Sequence, residues 1–233
     1  MKGIYLAGCY PDEDTFTRSS AAVAEAGFDF LEVGIPFNDP IADGPVIAGA
    51  IHESLARGVS PLDVIENIES LRHIPIKKYV MTYANIIHAY GIPEFSERMA
   101  GLLEGVIIPD IPNRMAGLFL EKGFCLPIVP FATLETRESD MALINESQSE
   151  IIYFVGVRGI TGSNSDFTAP ELVDKIRMIR DNTDKKVIIG FGIKNGSDAR
   201  QACALGDGYV VGTEAVMRQK KPEALKAYLR SLI

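Results

Sequence analysis

An acidic side chain stands inside an apolar segment near the start of the chain. Glu32 lies between Leu31 and Val33 in the run 28–33, whose length and composition predict a buried strand. A carboxylate that is buried without a partner is costly. Glu32 therefore either pairs with a buried Lys or Arg, or serves as an acid/base group whose pKa is tuned by burial. Because the nearby sequence is poor in Lys and Arg, we favour the acid/base interpretation.

A second carboxylate, Asp43, follows eleven residues later in a loop-like segment. Two interpretations of Asp43 stay open at this level. Its side chain can face a ligand beside Glu32, at the same end of the sheet. It can instead cap the helix that Pro45 predicts, since proline is favoured in the first helical turn. Asp39, which precedes Pro40, is typical of a turn. Residue chemistry alone does not separate the two interpretations of Asp43.

Three glycine-rich segments follow predicted strands in the second half of the chain. Gly190 and Gly192 end the seventh strand, Gly212 and Thr213 end the eighth, and residues 159–163 follow the sixth. Without Cβ atoms, backbone N–H groups can close on an anion, and a helix that starts near Thr213 would add its dipole. Each glycine alone is also explained by a turn with positive φ. Their shared position at strand ends predicts a phosphate site, and the composition of 159–163 is typical of a loop that closes over a ligand.

The remaining polar residues point less clearly to chemistry. Asp110 ends the fourth strand and is either a ligand contact or a packing buttress. His52, His73 and His88 have no carboxylate or cysteine neighbours at metal-ligand spacing, so we expect no metal site.

Eight apolar runs alternate with longer amphipathic stretches. The predicted strands are residues 3–7, 28–33, 78–83, 105–109, 126–129, 151–155, 187–190 and 208–211. The predicted helices are residues 15–26, 45–56, 61–72, 93–103, 114–122, 136–146, 170–180, 197–204 and 222–232. Strict alternation predicts a parallel sheet with helices outside, and eight units predict a closed (β/α)₈ TIM barrel. The alternative, an open doubly wound sheet, usually has fewer strands and a glycine fingerprint after the first, which this sequence does not have.

Length and composition agree with one soluble domain over residues 1–233, close to the ~250 residues of a typical barrel. The formal net charge of −8 makes nucleic acid or an anionic membrane an unexpected partner. No apolar stretch approaches the ~20 residues of a membrane helix. Cys9, Cys125 and Cys203 are odd in number and far apart, which favours a reducing cytoplasm over a disulfide framework.

The segment 31–45, with the sequence LEVGIPFNDPIADGP, closely resembles a motif of the tryptophan synthase alpha family. The similarity continues in chain order and covers essentially the whole chain, through residues 83–85, 109–112, 159–162, 190–193 and 211–213. Among the departures, Asn38 stands where the family usually has Ser or Thr, and Thr213 replaces the usual Ser. The resemblance implies a lyase of tryptophan biosynthesis that splits indole-3-glycerol phosphate into indole and glyceraldehyde 3-phosphate by a retro-aldol reaction.

The resemblance also assigns roles to individual residues. Glu32 matches the family's acid/base glutamate, and Asp43 matches the aspartate that stabilises positive charge at the indole N–H. The implied substrate-binding residues are Ile47, Tyr83 and Ile107 around the indole, Tyr153 near the glycerol phosphate, Gly162, Gly192, Gly212 and Thr213 at the phosphate, and Thr161, Gly190 and Phe191 from the same segments. Composition alone would place Ile47, Tyr83 and Ile107 in the barrel core.

The family further implies a partner and no cofactor in this chain. A tryptophan synthase beta subunit would hold pyridoxal phosphate and receive indole through a tunnel in an α₂β₂ assembly. Asp39 and Pro40 match the loop that meets that subunit, and residues 159–163 match the closing loop. Two other hypotheses stay open, a different phosphosugar barrel enzyme and a degenerate activator of a beta subunit. The motif at 31–45 disfavours the first, and the presence of both Glu32 and Asp43 disfavours the second.

Overall fold

The computed structural model describes residues 1–156 and 166–233. Within these ranges eight strands run parallel in one sheet, in the order β4-β3-β2-β1-β8-β7-β6-β5. The strands are β1 (Lys2–Ala7), β2 (Phe30–Gly34), β3 (Lys77–Met81), β4 (Gly105–Ile107), β5 (Phe131–Thr133), β6 (Ile151–Val155), β7 (Lys186–Ile189) and β8 (Gly208–Val211). The first strand also pairs with the last, so the sheet curls on itself, and the predicted TIM barrel is confirmed.

Helices follow the strands in alternation over the described ranges. They are α1 (Glu13–Glu25), α2 (Pro45–Ala56), α3 (Pro61–Ser70), α4 (Ala84–Tyr90), α5 (Ile92–Met99), α6 (Ala116–Glu121), α7 (Met141–Glu146), α8 (Pro170–Asp181), α9 (Gly196–Leu205), α10 (Thr213–Gln219) and α11 (Pro222–Ser231). Short 3₁₀ turns at Leu71–His73, Asn113–Met115 and Glu138–Asp140 complete the connections. None of the helices in the described ranges is both long enough and apolar enough to cross a membrane.

The barrel closes between β4 and β5 through a short irregular segment. Val106 and Ile128 form an isolated parallel bridge. The Val106 N–H donates to the Pro127 carbonyl at 2.8 Å, and the Val129 N–H donates to the Val106 carbonyl at 2.9 Å. These two bonds join β4 to the segment that precedes β5, so the sheet closes into a barrel.

The fifth strand differs from its prediction. Residues 126–129 were expected to form it, whereas the regular strand β5 begins at Phe131. Pro127 and Pro130 have no N–H to donate, so a continuous ladder cannot form across them. The Pro130 carbonyl nevertheless accepts from the Tyr153 N–H at 2.9 Å, which ties the segment to β6.

Successive residues of each strand point alternately into the barrel and outward to the helices. In β2, Leu31 and Val33 pack in the outer core between the sheet and the helices, and Phe30 packs in the inner core. Glu32 and Gly34 share the side of Phe30, since they lie two and four residues further along the strand. The carboxylate of Glu32 therefore enters the barrel from β2.

Gln219, the last residue of α10, holds the segment that follows β1. Its fully buried side chain accepts a hydrogen bond from the Ala7 N–H at 3.0 Å and donates to the carbonyls of Ala7 at 2.7 Å and Tyr10 at 2.8 Å. Buried polar groups are stable when they are paired in this way. The clamp fixes the loop between β1 and α1 at the carboxyl end of the barrel.

Candidate active site

A cavity of about 210 Å³ lies at the carboxyl end of the barrel strands. Its lining includes Glu32 of β2 and Asp43 of the following loop, and also Gly192, Gly212 and Thr213, which follow β7 and β8. Strand β1 separates these two groups in the sheet order. Active sites of barrels of this kind lie at this end, because the loops after the strands converge there.

Glu32 is fully buried, with none of its surface exposed. In the parallel register it lies between Tyr5 of β1 and Tyr79 of β3. Neither carboxylate oxygen has a hydrogen-bond partner within the described part of the chain. Pairing with a buried Lys or Arg, one of the two interpretations left open by the sequence, is therefore excluded among these residues.

The surroundings of Glu32 favour its protonated form. Burial raises the pKa of Glu32 to about 8, and the nearby carboxylate of Asp43 adds to the rise. Tyr153 opposes it weakly, since its hydroxyl faces the carboxylate without forming a hydrogen bond of normal geometry. A carboxylic acid that is neutral near pH 7 can donate a proton to a substrate.

Asp43 is held by a neighbouring aromatic side chain. The Tyr83 hydroxyl donates to the Asp43 Oδ2 at 3.1 Å, and the Tyr83 ring stacks on Phe37 with centroids 4.7 Å apart. The N-cap residue of α2 is Gly44, so Asp43 does not cap that helix. Of the two interpretations of Asp43, the structure supports a side chain that faces the cavity.

The two carboxyl groups have different environments. Burial raises the pKa of Asp43, while the hydrogen bond from Tyr83 opposes the rise. Glu32 has no donor of this kind. When two neighbouring carboxyl groups share a site, the one with the hydrogen-bond donor is the better carrier of negative charge. Asp43 is therefore suited to stay ionised while Glu32 holds a proton.

Glycine amides and a helix start form another part of the cavity wall. Gly192 has a φ of +74°, a conformation that favours glycine. The N–H groups of Gly192 and Gly212 have no acceptor within the described residues. Helix α10 begins at Thr213, as predicted, and its first N–H groups have no partner within the helix. Such a set of donors can hold a phosphate.

Gly190 contributes in a different way from its neighbours. Its N–H donates to the Phe154 carbonyl at 3.0 Å and is not available to a ligand. A Cβ at Gly190 would lie 2.1 Å from the ring of Tyr153, so glycine makes room for that side chain. Gly190 and Tyr153 both line the cavity, and the absence of a side chain at Gly190 leaves room for the Tyr153 ring.

Apolar side chains complete the cavity, although two of the predicted ones lie elsewhere. Ile47, Tyr153 and Phe191 line it. Tyr83 and Ile107 are buried behind the lining, Tyr83 as the partner of Asp43 and Ile107 as part of the inner core. Contact of Tyr83 and Ile107 with a ligand therefore stays a prediction from the resemblance.

Several predicted residues lie away from the cavity or beyond the described ranges. Thr161 and Gly162, with the whole segment 159–163, are outside the residues that the structure describes. Asp39 is exposed and Pro40 is half-buried, in the loop between β2 and α2. Asp110 accepts the N–H of Ala84, the first residue of α4, at 3.0 and 3.2 Å, which supports the buttress interpretation.

Some polar residues that line the cavity are absent from the sequence-based predictions. They are Tyr5 of β1, Lys194 after β7 and Glu214 of α10. The alternation of β1 places Tyr5 on the inner face together with Ala7, which is a signal that the sequence carries. Among the described residues, no group of three or more His, Cys, Asp or Glu side chains is arranged to hold a metal ion.

Comparison with known proteins identifies the family of this chain. A family model described as tryptophan synthase alpha chain matches residues 4–231. The tryptophan synthase alpha chain of Aquifex aeolicus is 36% identical, over 98% of this chain and 90% of the relative. The alpha chain of Syntrophotalea carbinolica is also 36% identical, over 96% of this chain and 90% of the relative.

Solved structures show the same similarity. Tryptophan synthase from Mycobacterium tuberculosis superposes with a TM-score of 0.88 at 27% identity, covering 99% of this chain and 90% of that one. Tryptophan synthase subunit alpha from Campylobacter jejuni gives a TM-score of 0.87 at 25% identity, covering 100% of this chain and 95% of that one. The family model and the two alpha chains that are 36% identical each match nearly the whole chain. The chain therefore belongs to the tryptophan synthase alpha chain family.

Proposed function

We propose that this chain cleaves indole-3-glycerol phosphate to indole and glyceraldehyde 3-phosphate. The observation that carries the proposal is one cavity that joins two unlike carboxyl groups to a set of unpaired backbone N–H donors. Glu32 and Asp43 lie in the part reached from β2, and Gly192, Gly212 and Thr213 lie in the part reached from β7 and β8. An indole ring with a phosphate tail needs both parts at once.

Glu32 starts the reaction as an acid. It transfers its proton to C3 of the indole, whose ring nitrogen supplies the electron pair and becomes positively charged. Asp43 accepts a hydrogen bond from the indole N–H and stabilises that charge. The pKa of about 8 keeps most Glu32 protonated at neutral pH, as this step requires.

Glu32 then acts as a base. Its carboxylate takes the proton of the hydroxyl on the glycerol carbon attached to C3. The bond between C3 and that carbon breaks, its electron pair returns to the ring, and the carbon becomes the aldehyde of glyceraldehyde 3-phosphate. Indole leaves with the proton at C3, and Glu32 is again protonated, so the cycle balances without a metal or an organic cofactor in this chain.

The phosphate tail is held by the amides of Gly192 and Gly212 and by the start of α10, with the Thr213 hydroxyl as a further donor. Their unpaired N–H groups and the helix dipole support this role. Thr161 and Gly162 belong to the same proposal on the resemblance alone. Ile47, Tyr153 and Phe191 enclose the rest of the substrate.

The test is release of indole from indole-3-glycerol phosphate by the purified chain. Glu32→Gln should lower kcat by about 10³-fold or more, because the proton transfers at C3 and at the hydroxyl both depend on this carboxyl. The matched control is Glu53→Gln, which removes a half-buried carboxylate that pairs with Lys220 outside the cavity. No indole from the unmodified chain, or equal rates for both variants, would overturn the proposal.

We further propose that the partner of this chain is a tryptophan synthase beta chain, which would hold pyridoxal phosphate. We also propose that residues 1–233 form one domain. The loop that carries Asp39 and Pro40 presents Ile41, which is 62% exposed, and this exposed apolar side chain supports a docking role. Adding a beta chain should raise the rate at which this chain cleaves indole-3-glycerol phosphate. Asp39→Lys should weaken that activation, while the cleavage rate without the beta chain is unchanged. The free thiols of Cys9, Cys125 and Cys203 support a reducing compartment.

A further inference from the structure

We propose that Tyr5 is a positioning residue, whose hydroxyl donates a hydrogen bond to the Glu32 carboxylate during the part of the cycle in which Glu32 has given up its proton. The inference rests on the proposed function, in which Glu32 is alternately acid and base. It concerns a residue on β1 that the sequence resemblance does not assign.

The placement of Tyr5 is the first argument. Tyr5 is the register partner of Glu32 on the neighbouring strand, and both face the barrel interior. The Tyr5 hydroxyl lies 2.0 Å from the point where a Cβ of Gly34 would stand. Gly34 is the next inward residue after Glu32 and lies about 7 Å further along the strand. The Tyr5 side chain therefore runs past Glu32 toward the mouth of the barrel.

The need for a donor is the second argument. Both oxygens of Glu32 lack a partner within the described chain, and an ionised carboxylate buried without donors is costly. The Tyr5 hydroxyl also has no hydrogen-bond partner among these residues, so it is available to donate. Burial, followed by the charges of Asp43 and Glu32, raises the pKa of Tyr5, so the hydroxyl keeps its proton.

Other charged or titratable groups around the cavity set the background for this contact. Asp43 comes from the loop after β2, Tyr153 from β6 and Lys194 from the segment after β7. Glu214 of α10 also lines the cavity and pairs with Arg218 at 2.7 Å. Tyr83 acts on the site through its bond to Asp43. The Tyr153 hydroxyl also faces the Glu32 carboxylate, from β6. Among the described cavity residues, Tyr5 is the one that combines the register position beside Glu32 with a hydroxyl that reaches toward the mouth.

Tyr79 offers a matched control on the other side of Glu32. It is the register partner of Glu32 on β3 and is as deeply buried as Tyr5. Its ring lies toward the floor of the barrel, where it packs on Phe30 with centroids 5.4 Å apart and lies beside Gly105 at the start of β4. After burial, the charges of Glu104 and Glu150, which precede β4 and β6, raise the pKa of Tyr79. Tyr79→Phe thus removes the hydroxyl of a tyrosine on the other strand beside Glu32, and it changes no residue that lines the cavity.

The experiment compares Tyr5→Phe with Tyr79→Phe in the full chain. The Glu32 carboxyl is titrated by infrared difference spectroscopy against Glu32→Gln, and kcat and KM for indole release are measured across pH. In Tyr5→Phe the pKa of Glu32 should rise by about one unit or more, because the carboxylate loses a donor. The alkaline limb of the kcat profile should move up by the same amount, and kcat should fall about tenfold to a hundredfold with KM nearly unchanged.

Tyr79→Phe should leave the Glu32 titration and the kcat profile in place. Unchanged titration in Tyr5→Phe, or equal shifts in both variants, would overturn the inference. The titration needs no turnover, so it tests Tyr5 separately from the reaction. A chain that makes no indole but shows the shift only in Tyr5→Phe would refute the proposed function and keep the Tyr5 contact.

Discussion

The floor and the mouth of the barrel use the same packing arrangement with different results. At the floor, the ring of Phe30 on β2 lies across Gly3 on β1, where an added Cβ would be 2.0 Å from the ring. At the mouth, the ring of Tyr153 on β6 lies across Gly190, which follows β7, where an added Cβ would be 2.1 Å away. In both places a glycine on one strand makes room for an aromatic side chain from its neighbour.

The two regions differ in what surrounds the aromatic ring. Phe30 packs edge to face on Tyr79, with centroids 5.4 Å apart, inside an apolar core. Tyr153 lines a cavity that also holds Glu32 and Asp43. The alternation of inward residues is the same throughout, so the site arises where polar residues and glycines replace the apolar filling. We expect mutations at the floor to change stability and mutations at the mouth to change chemistry.

The largest effect expected is a pH dependence of stability that comes from Glu32. Its pKa is about 8 in the folded chain and about 4.3 in an unfolded one, so between these values the folded state binds the extra proton. The free energy of unfolding should therefore fall as pH rises from about 4 to about 8, by up to about 5 kcal/mol. The burial that raises the pKa of Asp43 acts in the same direction.

Urea unfolding at pH 5, 7 and 9 checks this expectation. Glu32→Gln has no titrating group at this position and should lose less stability with rising pH, so it should be more stable than the unmodified chain at pH 9. Parallel pH profiles for the two proteins would show that Glu32 is not the buried proton carrier described above.

A cavity at the floor should have the next largest effect. Phe30→Ala removes a fully buried ring and should lower the free energy of unfolding by about 3–5 kcal/mol. Below its lower Tm, the variant should keep kcat for indole release within about twofold of the original, because the ring does not line the mouth. Denaturant unfolding and kinetics at low temperature measure both quantities, and a large loss of kcat in the folded variant would contradict the separation of floor and mouth.

The two glycines that lie under aromatic rings, Gly190 at the mouth and Gly3 at the floor, give the most direct comparison. The change in activation free energy expected at Gly190 is the smallest of the effects considered. Gly190→Ala should displace the Tyr153 ring and lower kcat about a hundredfold, equivalent to about 3 kcal/mol. The matched variant Gly3→Ala meets Phe30 and should lower Tm with little change in kcat for the folded protein. If the two variants lose kcat and Tm in the same proportion, the mouth has no special dependence on the position of Tyr153.

Particular residues show where sequence patterns are sufficient. The apolar run at residues 28–33 predicts a strand, and the structure places Glu32 on the same face as the inner core residue Phe30. The helix expected near Thr213 begins at that residue, where glycine and threonine give a typical start. These features depend on neighbours within a few residues, so local chemistry is enough to predict them.

Other features depend on contacts between distant segments. Helix α4 lies outside the predicted helices. Asp110, from the segment after β4, accepts the N–H of Ala84 and so stabilises its start. The fifth strand is displaced past Pro127 and Pro130, although the segment before it still closes the barrel on β4. Neither outcome can be derived from a local pattern.

The order of eight strand–helix units and the acidic residue inside the second strand were determined by the sequence itself, because hydrophobic periodicity follows from the sequence. Tertiary structure decided the rest of the site. In the folded chain Asp43 accepts a hydrogen bond from Tyr83 and does not cap a helix. Gly190 leaves room for the Tyr153 ring, and Tyr5 lies beside Glu32. Each of these depends on which strands become neighbours when the barrel closes, and that contact is made only in the folded chain.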